Sequence, residues 1–152
     1  MIYSKPTYKP QYENFIGGEW IAPSSGEYFD NISPVDGELL TRIPRSNEKD
    51  VEAAIVAADK AFQSFKHTSV IERSNLLNKM ADAIEANLEK LAIAETLDNG
   101  KTIRETLNAD VPLVVDHFRY FASVIRAESG TVSDLDENTI SQEIYEPYGV
   151  VA

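Results

Sequence analysis

Cysteine is absent from all 152 residues. That removes disulfides, thiolate metal ligands and a thiol nucleophile from this stretch, and it fits a reducing, cytoplasmic setting. Histidine is nearly absent too. His67 and His117 fall on different expected helices with no spaced partner ligand, so neither founds a metal site. Both read as structural or solvated residues, and His117, beside Phe118, Tyr120 and Phe121, is expected to pack between helices. No run approaches the roughly 20 continuous apolar residues of a membrane span. The first twelve residues mix Lys5 and Lys9 with Pro6, Pro10 and tyrosines, and have neither the apolar segment nor the cleavage site of a secretory signal. Basic residues are scarce: 14 Lys and Arg face 25 Asp and Glu, for a net charge of −11, and they are scattered. Such a surface repels phosphate backbones and anionic membranes, which argues against both as partners. Gly-rich phosphate loops are missing as well, since neither G-x-G-x-x-G nor G-x-x-x-x-G-K-[ST] occurs.

What is present is a globular composition, 43% hydrophobic and 26% charged, in a length that suits one domain. The first 45 residues read as β and turn. Gly17-Gly18 sits between Asn14-Phe15-Ile16 and Glu19-Trp20-Ile21, the signature of a tight hairpin. Two further extended runs, Tyr28 to Ile32 and Glu38 to Ile43, flank a Ser33-Pro34-Val35-Asp36-Gly37 turn.

From Ser46 the apolar period changes. Val51, Ala54, Ile55, Ala58, Phe62 and Phe65 recur at helical spacing, with Ser46 or Asn47 as N-cap. A second helix opens at Ser69, whose capping box closes on Glu72, and runs with a bend near Asn87 to a C-cap at Asn99-Gly100. A third helical stretch spans Ile103 to Glu128, with Pro112 tolerated if a new helix starts at Asp110. Gly130 ends it. Thr131 to Tyr145 returns to β character, and Thr139 to Tyr145 alternates as a strand with one wet face. Gly149-Val150-Val151-Ala152 reads as the opening of a buried strand that continues past the last residue, so the function is expected to need further polypeptide beyond Ala152.

One carboxylate stands out. In Glu95-Thr96-Leu97-Asp98-Asn99-Gly100-Lys101, Asp98 lies at a helix end where carbonyls, not amides, are unsatisfied, and an anion there opposes the helix dipole. It can cap the amides of a neighbouring segment, the reading that residue physics alone favours, or join carbonyl oxygens around a hard cation.

Four runs carry a resemblance: Asn14-Phe15-Ile16-Gly17-Gly18-Glu19-Trp20, Asn31-Ile32-Ser33-Pro34-Val35-Asp36-Gly37-Glu38, Glu95 to Lys101, and Glu146-Pro147-Tyr148-Gly149-Val150. In order and spacing they resemble the N-terminal segment of the NAD(P)-dependent aldehyde dehydrogenase superfamily. Asp110 to Ala122 looks like the subgroup acting on acetaldehyde and similar small aliphatic aldehydes, with betaine-aldehyde-like substrates left open. The resemblance implies an α/β fold in which residues 1–130 are the N-terminal part of the cofactor-binding domain. Residues 131–147 would belong to the β domain through which subunits pair as dimers or tetramers. Residues 148–152 would open the first Rossmann-like strand of a sheet that is incomplete here.

In that family the nucleophilic cysteine, the general-base glutamate and the binding site for NAD or NADP come later in the polypeptide. The resemblance therefore implies no catalytic and no cofactor-binding residue in this chain, and predicts that it is inactive alone. The family reaction is thiolate attack on the aldehyde, hydride transfer to the nicotinamide, then base-assisted hydrolysis of the thioester. Residue by residue, Asp98 with the backbone carbonyls near Asn31 and Ile32 matches a structural monovalent-cation site. Ala109 and Leu113 match positions lining the aldehyde entrance tunnel, with ordinary helix packing as the alternative. A rival of a different class is a free-standing acidic, non-catalytic module that kept this shape and binds protein partners through its β edge or helix faces.

Overall fold

The computed structural model describes residues 4–151. The described residues form three two-stranded antiparallel sheets and a group of helices. The first is β1 (Asn14–Ile16) with β2 (Glu19–Ile21), joined through Gly17 and Gly18. Both glycines have positive φ, 61° and 89°, the conformation that a two-residue hairpin turn of this hand needs. Phe15 and Trp20 are paired across it with ring centroids 5.0 Å apart.

The second sheet pairs β3 (Tyr28–Ile32) with β4 (Leu39–Pro44) around the expected turn, which is closed by Gly37 N–H to Ser33 O at 2.8 Å. A register shift leaves Leu40 of β4 as the extra, bulged residue, so Asn31 faces Thr41 while Ile32 faces Leu39. The N-terminal arm lies along β4: Tyr12 N–H donates to Arg42 O (2.9 Å), Arg42 N–H to Pro10 O (3.1 Å), and the Thr41 hydroxyl to Lys9 O (2.7 Å).

Helix α1 (Glu48–Phe65) starts at Asn47, which settles the choice between the two expected caps. The Asn47 side chain accepts from Lys49 N–H, and the Asp50 carboxylate accepts from Asn47 N–H and Ser24 N–H at 2.9 and 2.8 Å. Helix α2 (Val70–Ala86) opens on the expected Ser69–Glu72 capping box. The expected bend near Asn87 is a break: α2 ends there, and a separate α3 (Leu88–Asn99) begins with no side-chain cap.

The third helical stretch is composite. It consists of a short α4 (Ile103–Glu105), a π-helical turn (Thr106–Asp110) and α5 (Val111–Ala127), with Pro112 in the first turn of α5 as expected. The core is the seam between α2 and α5. Ala81 and Ala122 are completely or almost completely buried, as is Ser74, whose hydroxyl donates to Ala122 O at 2.7 Å. Val111 and Val115 fill the neighbouring turns. Small side chains on both helices allow this close approach.

A third hairpin, β5 (Val132–Asp136) with β6 (Thr139–Gln142), comes next in the chain, and its strands are exposed throughout. The expectation of one wet and one dry face for Thr139 to Tyr145 is corrected here. The strand ends at Gln142, with one further backbone bond from Glu143 N–H to Thr131 O, and Ile140, Ile144 and Tyr145 are exposed because no layer of described residues covers the hairpin. His117 is also exposed, on the outer face of α5, rather than packed between helices. Gly149 to Val151 has no strand partner among the described residues, and Ala152 lies outside them. Among the described residues no helix is long and apolar enough to cross a membrane.

Candidate functional site

Two places gather the residues singled out in the sequence. The first lies where β3, opposite the bulge of β4, meets the end of α3. The Asn31 Nδ2 donates to Asp98 Oδ1 at 2.6 Å, so Asn31, its neighbour Ile32 and Asp98 come together across 67 positions of sequence. The expected capping partner, a backbone amide, is thus a side-chain amide. The junction is kept by the C-cap of α3. Gly100, at φ 81°, turns the chain in the left-handed region and donates its N–H to Thr96 O at 2.9 Å. Asn99 Oδ1 takes the Lys101 N–H at 2.8 Å. Gly100 is also pressed against β3's turn, since a Cβ there would lie 3.2 Å from Pro34 Cγ.

Tyr8, which sequence reading passed over, adds to this corner. Its hydroxyl is shielded from solvent and has no hydrogen-bond partner among the described residues. Burial, then the negative charge of Asp98, raises its pKa, while Lys5 opposes that. Lys5 itself is tied to Glu38 (3.1 Å) and Asp36 (3.4 Å). The Asp98 carboxylate is exposed, with one oxygen taken by the Asn31 amide, and the Tyr8 phenol is a second hard oxygen without a partner among the described residues. Among the described residues no group of three or more His, Asp or Glu side chains assembles.

The second place is the π-helical turn. Its defining bond runs from Val111 N–H to Thr106 O, five residues back, where an α-helix would close after four. Thr106 is completely buried, and its Oγ1 lies 3.0 Å from Thr96 Oγ1 of α3 and 3.3 Å from Ile103 O. The far end is held by Lys101 Nζ on Asp110 Oδ2 at 2.5 Å, a contact that raises the lysine's pKa. Ala109 lies in this turn and Leu113 one turn later in α5. Both are exposed, Leu113 at 53%, on a face that no described residue covers. Sequence reading placed Ala109 and Leu113 on a helix and gave no sign of the wide turn. Its only trace is local: Thr106, Asn108 and Asp110 in five residues are polar groups that bond to neighbouring backbone or side chains rather than favouring a regular helix.

The aldehyde dehydrogenase family matches residues 20–152. This chain belongs to the aldehyde dehydrogenase family. It is 61% identical over 148 residues to a long-chain-aldehyde dehydrogenase of an Acinetobacter species, covering 97% of this chain and 29% of that protein. It is 55% identical over 144 residues to acetaldehyde dehydrogenase 2 of Cupriavidus necator, covering 95% and 28%. Among solved structures, an indole-3-acetaldehyde dehydrogenase superposes with a TM-score of 0.82 at 32% identity, over 88% of this chain and 31% of the other. PnpE in complex with nicotinamide adenine dinucleotide gives 0.79 at 37%, over 84% and 26%. The chain therefore spans about three-tenths of the curated relatives it matches, and has the α/β fold of the N-terminal part of an aldehyde dehydrogenase.

Proposed function

We propose that this chain is the N-terminal part of a cytoplasmic NAD(P)-dependent aldehyde dehydrogenase that oxidises an aldehyde, of the small aliphatic class, to a carboxylate. The observation that carries this is the match to aldehyde dehydrogenases along 97% of the chain at 61% identity, while it spans only 29% of such a relative. Within that enzyme, residues 1–130 contribute to the cofactor-binding domain, 131–147 to the β domain through which copies associate, and 148–152 to the first strand of the Rossmann-like sheet.

The relatives' names set the range of substrates, since one acts on long-chain aldehydes and another on acetaldehyde. Ala109 and Leu113 line the path by which the aldehyde arrives. Asp98, with the carbonyls of Asn31 and Ile32, holds a monovalent cation that ties β3 to α3. The second Asp98 oxygen, free of protein donors among the described residues, and the Tyr8 phenol suit that role.

NAD is a different matter. No glycine-rich turn between a strand and a helix exists among the described residues, and none of their three sheets is parallel. The residues present do not make a dinucleotide cradle, so no step of the reaction is assigned to them. Their contribution is shape: a tied β3–α3 corner, a tunnel-lining turn and an associating hairpin. The rival, a free-standing interaction module, rests on the same half-exposed Val51, Ile55 and Phe65 of α1, and is weighed against the family match along the whole chain.

The test is turnover by the complete polypeptide that contains this chain, offered acetaldehyde, hexanal and decanal with NAD and with NADP. Aldehyde-dependent cofactor reduction, fastest on the short aldehydes, is expected. No reduction with any pair would refute the assignment.

A further inference from the structure

We infer that Thr106 is a positioning residue which sets the aldehyde chain-length preference of the complete enzyme, by locking the π-helical turn that aims Ala109 and Leu113. This rests on the tunnel role proposed above for those two residues. A π turn accommodates one residue more per turn than its α-helical neighbours, so it changes the rotational phase between the helical segments on its two sides. One residue of an α-helix corresponds to a rotation of about 100°. If Thr106–Asp110 tightened to α geometry, Ala109 and the start of α5 would turn relative to one another. The small and the large side chain on the exposed face would no longer stand in the same relation.

An isolated π turn is rarely preferred, so something must hold it. Thr106 supplies the central hold. It is the most deeply buried polar residue of the segment, at 0% exposure. Its hydroxyl has two partners, Thr96 Oγ1 on a different helix and Ile103 O one turn back. Its carbonyl receives the Val111 N–H that defines the turn. Side chain and main chain of a single residue thus join α3, α4 and α5. Lys101 on the buried Oδ2 of Asp110 and Asn108 Nδ2 on Arg104 O (2.8 Å) reinforce the two flanks. Thr106 is buried while the positions it governs are exposed, so it acts on them through the backbone.

The experiment uses the complete enzyme and three forms: wild type, Thr106→Val, which keeps the shape and removes the hydroxyl, and Thr106→Ser, which keeps the hydroxyl. Two readouts are taken on each. The first is kcat and KM for aldehydes from two to ten carbons, and the second is amide hydrogen exchange over residues 103–113. Thr106→Val is expected to shift the ratio of kcat/KM between the shortest and longest aldehydes by about tenfold, the size of effect a displaced methylene-scale contact produces. The shift should lie mainly in KM, with faster exchange confined to the turn, and Thr106→Ser should restore both. An equal fall for every aldehyde, or an unchanged profile beside a lowered melting temperature, would overturn the proposal, as would unchanged exchange in Thr106→Val. A wild-type enzyme that oxidises no aldehyde would refute the function proposed above. The exchange measurement would still decide whether Thr106 locks the turn.

Discussion

At the scale of single residues, Gly100 links the most consequences. Its positive φ ends α3, its amide closes on Thr96, and the missing Cβ lets Pro34 approach. Gly100→Ala is expected to cost about 1–2 kcal/mol from the left-handed backbone alone, with more from the crowded Pro34, and a chemical or thermal melt of the complete enzyme reads it. Asp50 and Glu72 act at the other ends of helices. Asp50's carboxyl is held below its ordinary value by the Asn47 amide first and the Ser24 amide second, and Glu72's by Ser69. The folded-state value in each case lies below the unfolded one. The stabilisation is therefore complete above the ordinary carboxylate range and is lost as the pH falls through the folded values. Melting temperature measured down through pH 4 should drop, and Asp50→Asn should flatten that acid-side slope. A steeper slope in the variant would contradict the capping role.

Among elements, the α2–α5 seam is the tightest contact. Ala81 has no exposed surface, and Ala81→Leu would force the helices apart at a cost of about 1–3 kcal/mol, measured by denaturant unfolding. Gly130 makes a second close approach, since a Cβ there would overlap the Glu143 carbonyl where Glu143 N–H returns to Thr131 O. Gly130→Ala is expected to displace the β5–β6 hairpin and, in the complete enzyme, to shift assembly toward smaller species on size-exclusion chromatography. Unchanged assembly would remove the hairpin from the interface.

The elements were also where the sequence was most legible. The Gly17-Gly18 hairpin, the Ser69–Glu72 capping box and Pro112 at a helix start are local signals, each satisfied within a few residues, and each appears where the residues place it. The bend expected near Asn87 appears as a full break, whereas the π turn was not legible, because its hold comes partly from Thr96 on a separate helix. The meeting of Asn31 with Asp98 was legible only through family resemblance, since nothing local in either run announces a partner 67 residues away.

For the molecule as a whole, the distribution of apolar surface decides the account. The α2–α5 seam is buried, yet α1 shows Val51, Ile55, Val56 and Phe65, α5 shows Leu113, Val114 and Phe121, and the terminal hairpin shows Val132, Leu135 and Ile140. Patches of that extent mark surfaces meant to be covered. On the function proposed above, the rest of the polypeptide and a second copy cover them. The 152-residue chain by itself is expected to bind a hydrophobic dye and to melt broadly, whereas the complete enzyme binds little and melts cooperatively. The most direct measurement is aldehyde-dependent NAD(P) reduction by residues 1–152 alone, run beside the complete polypeptide at equal molar concentration. Turnover by the complete polypeptide and none by residues 1–152 is the predicted result. Turnover by residues 1–152 alone would contradict the central claim that this chain shapes an active site it does not contain.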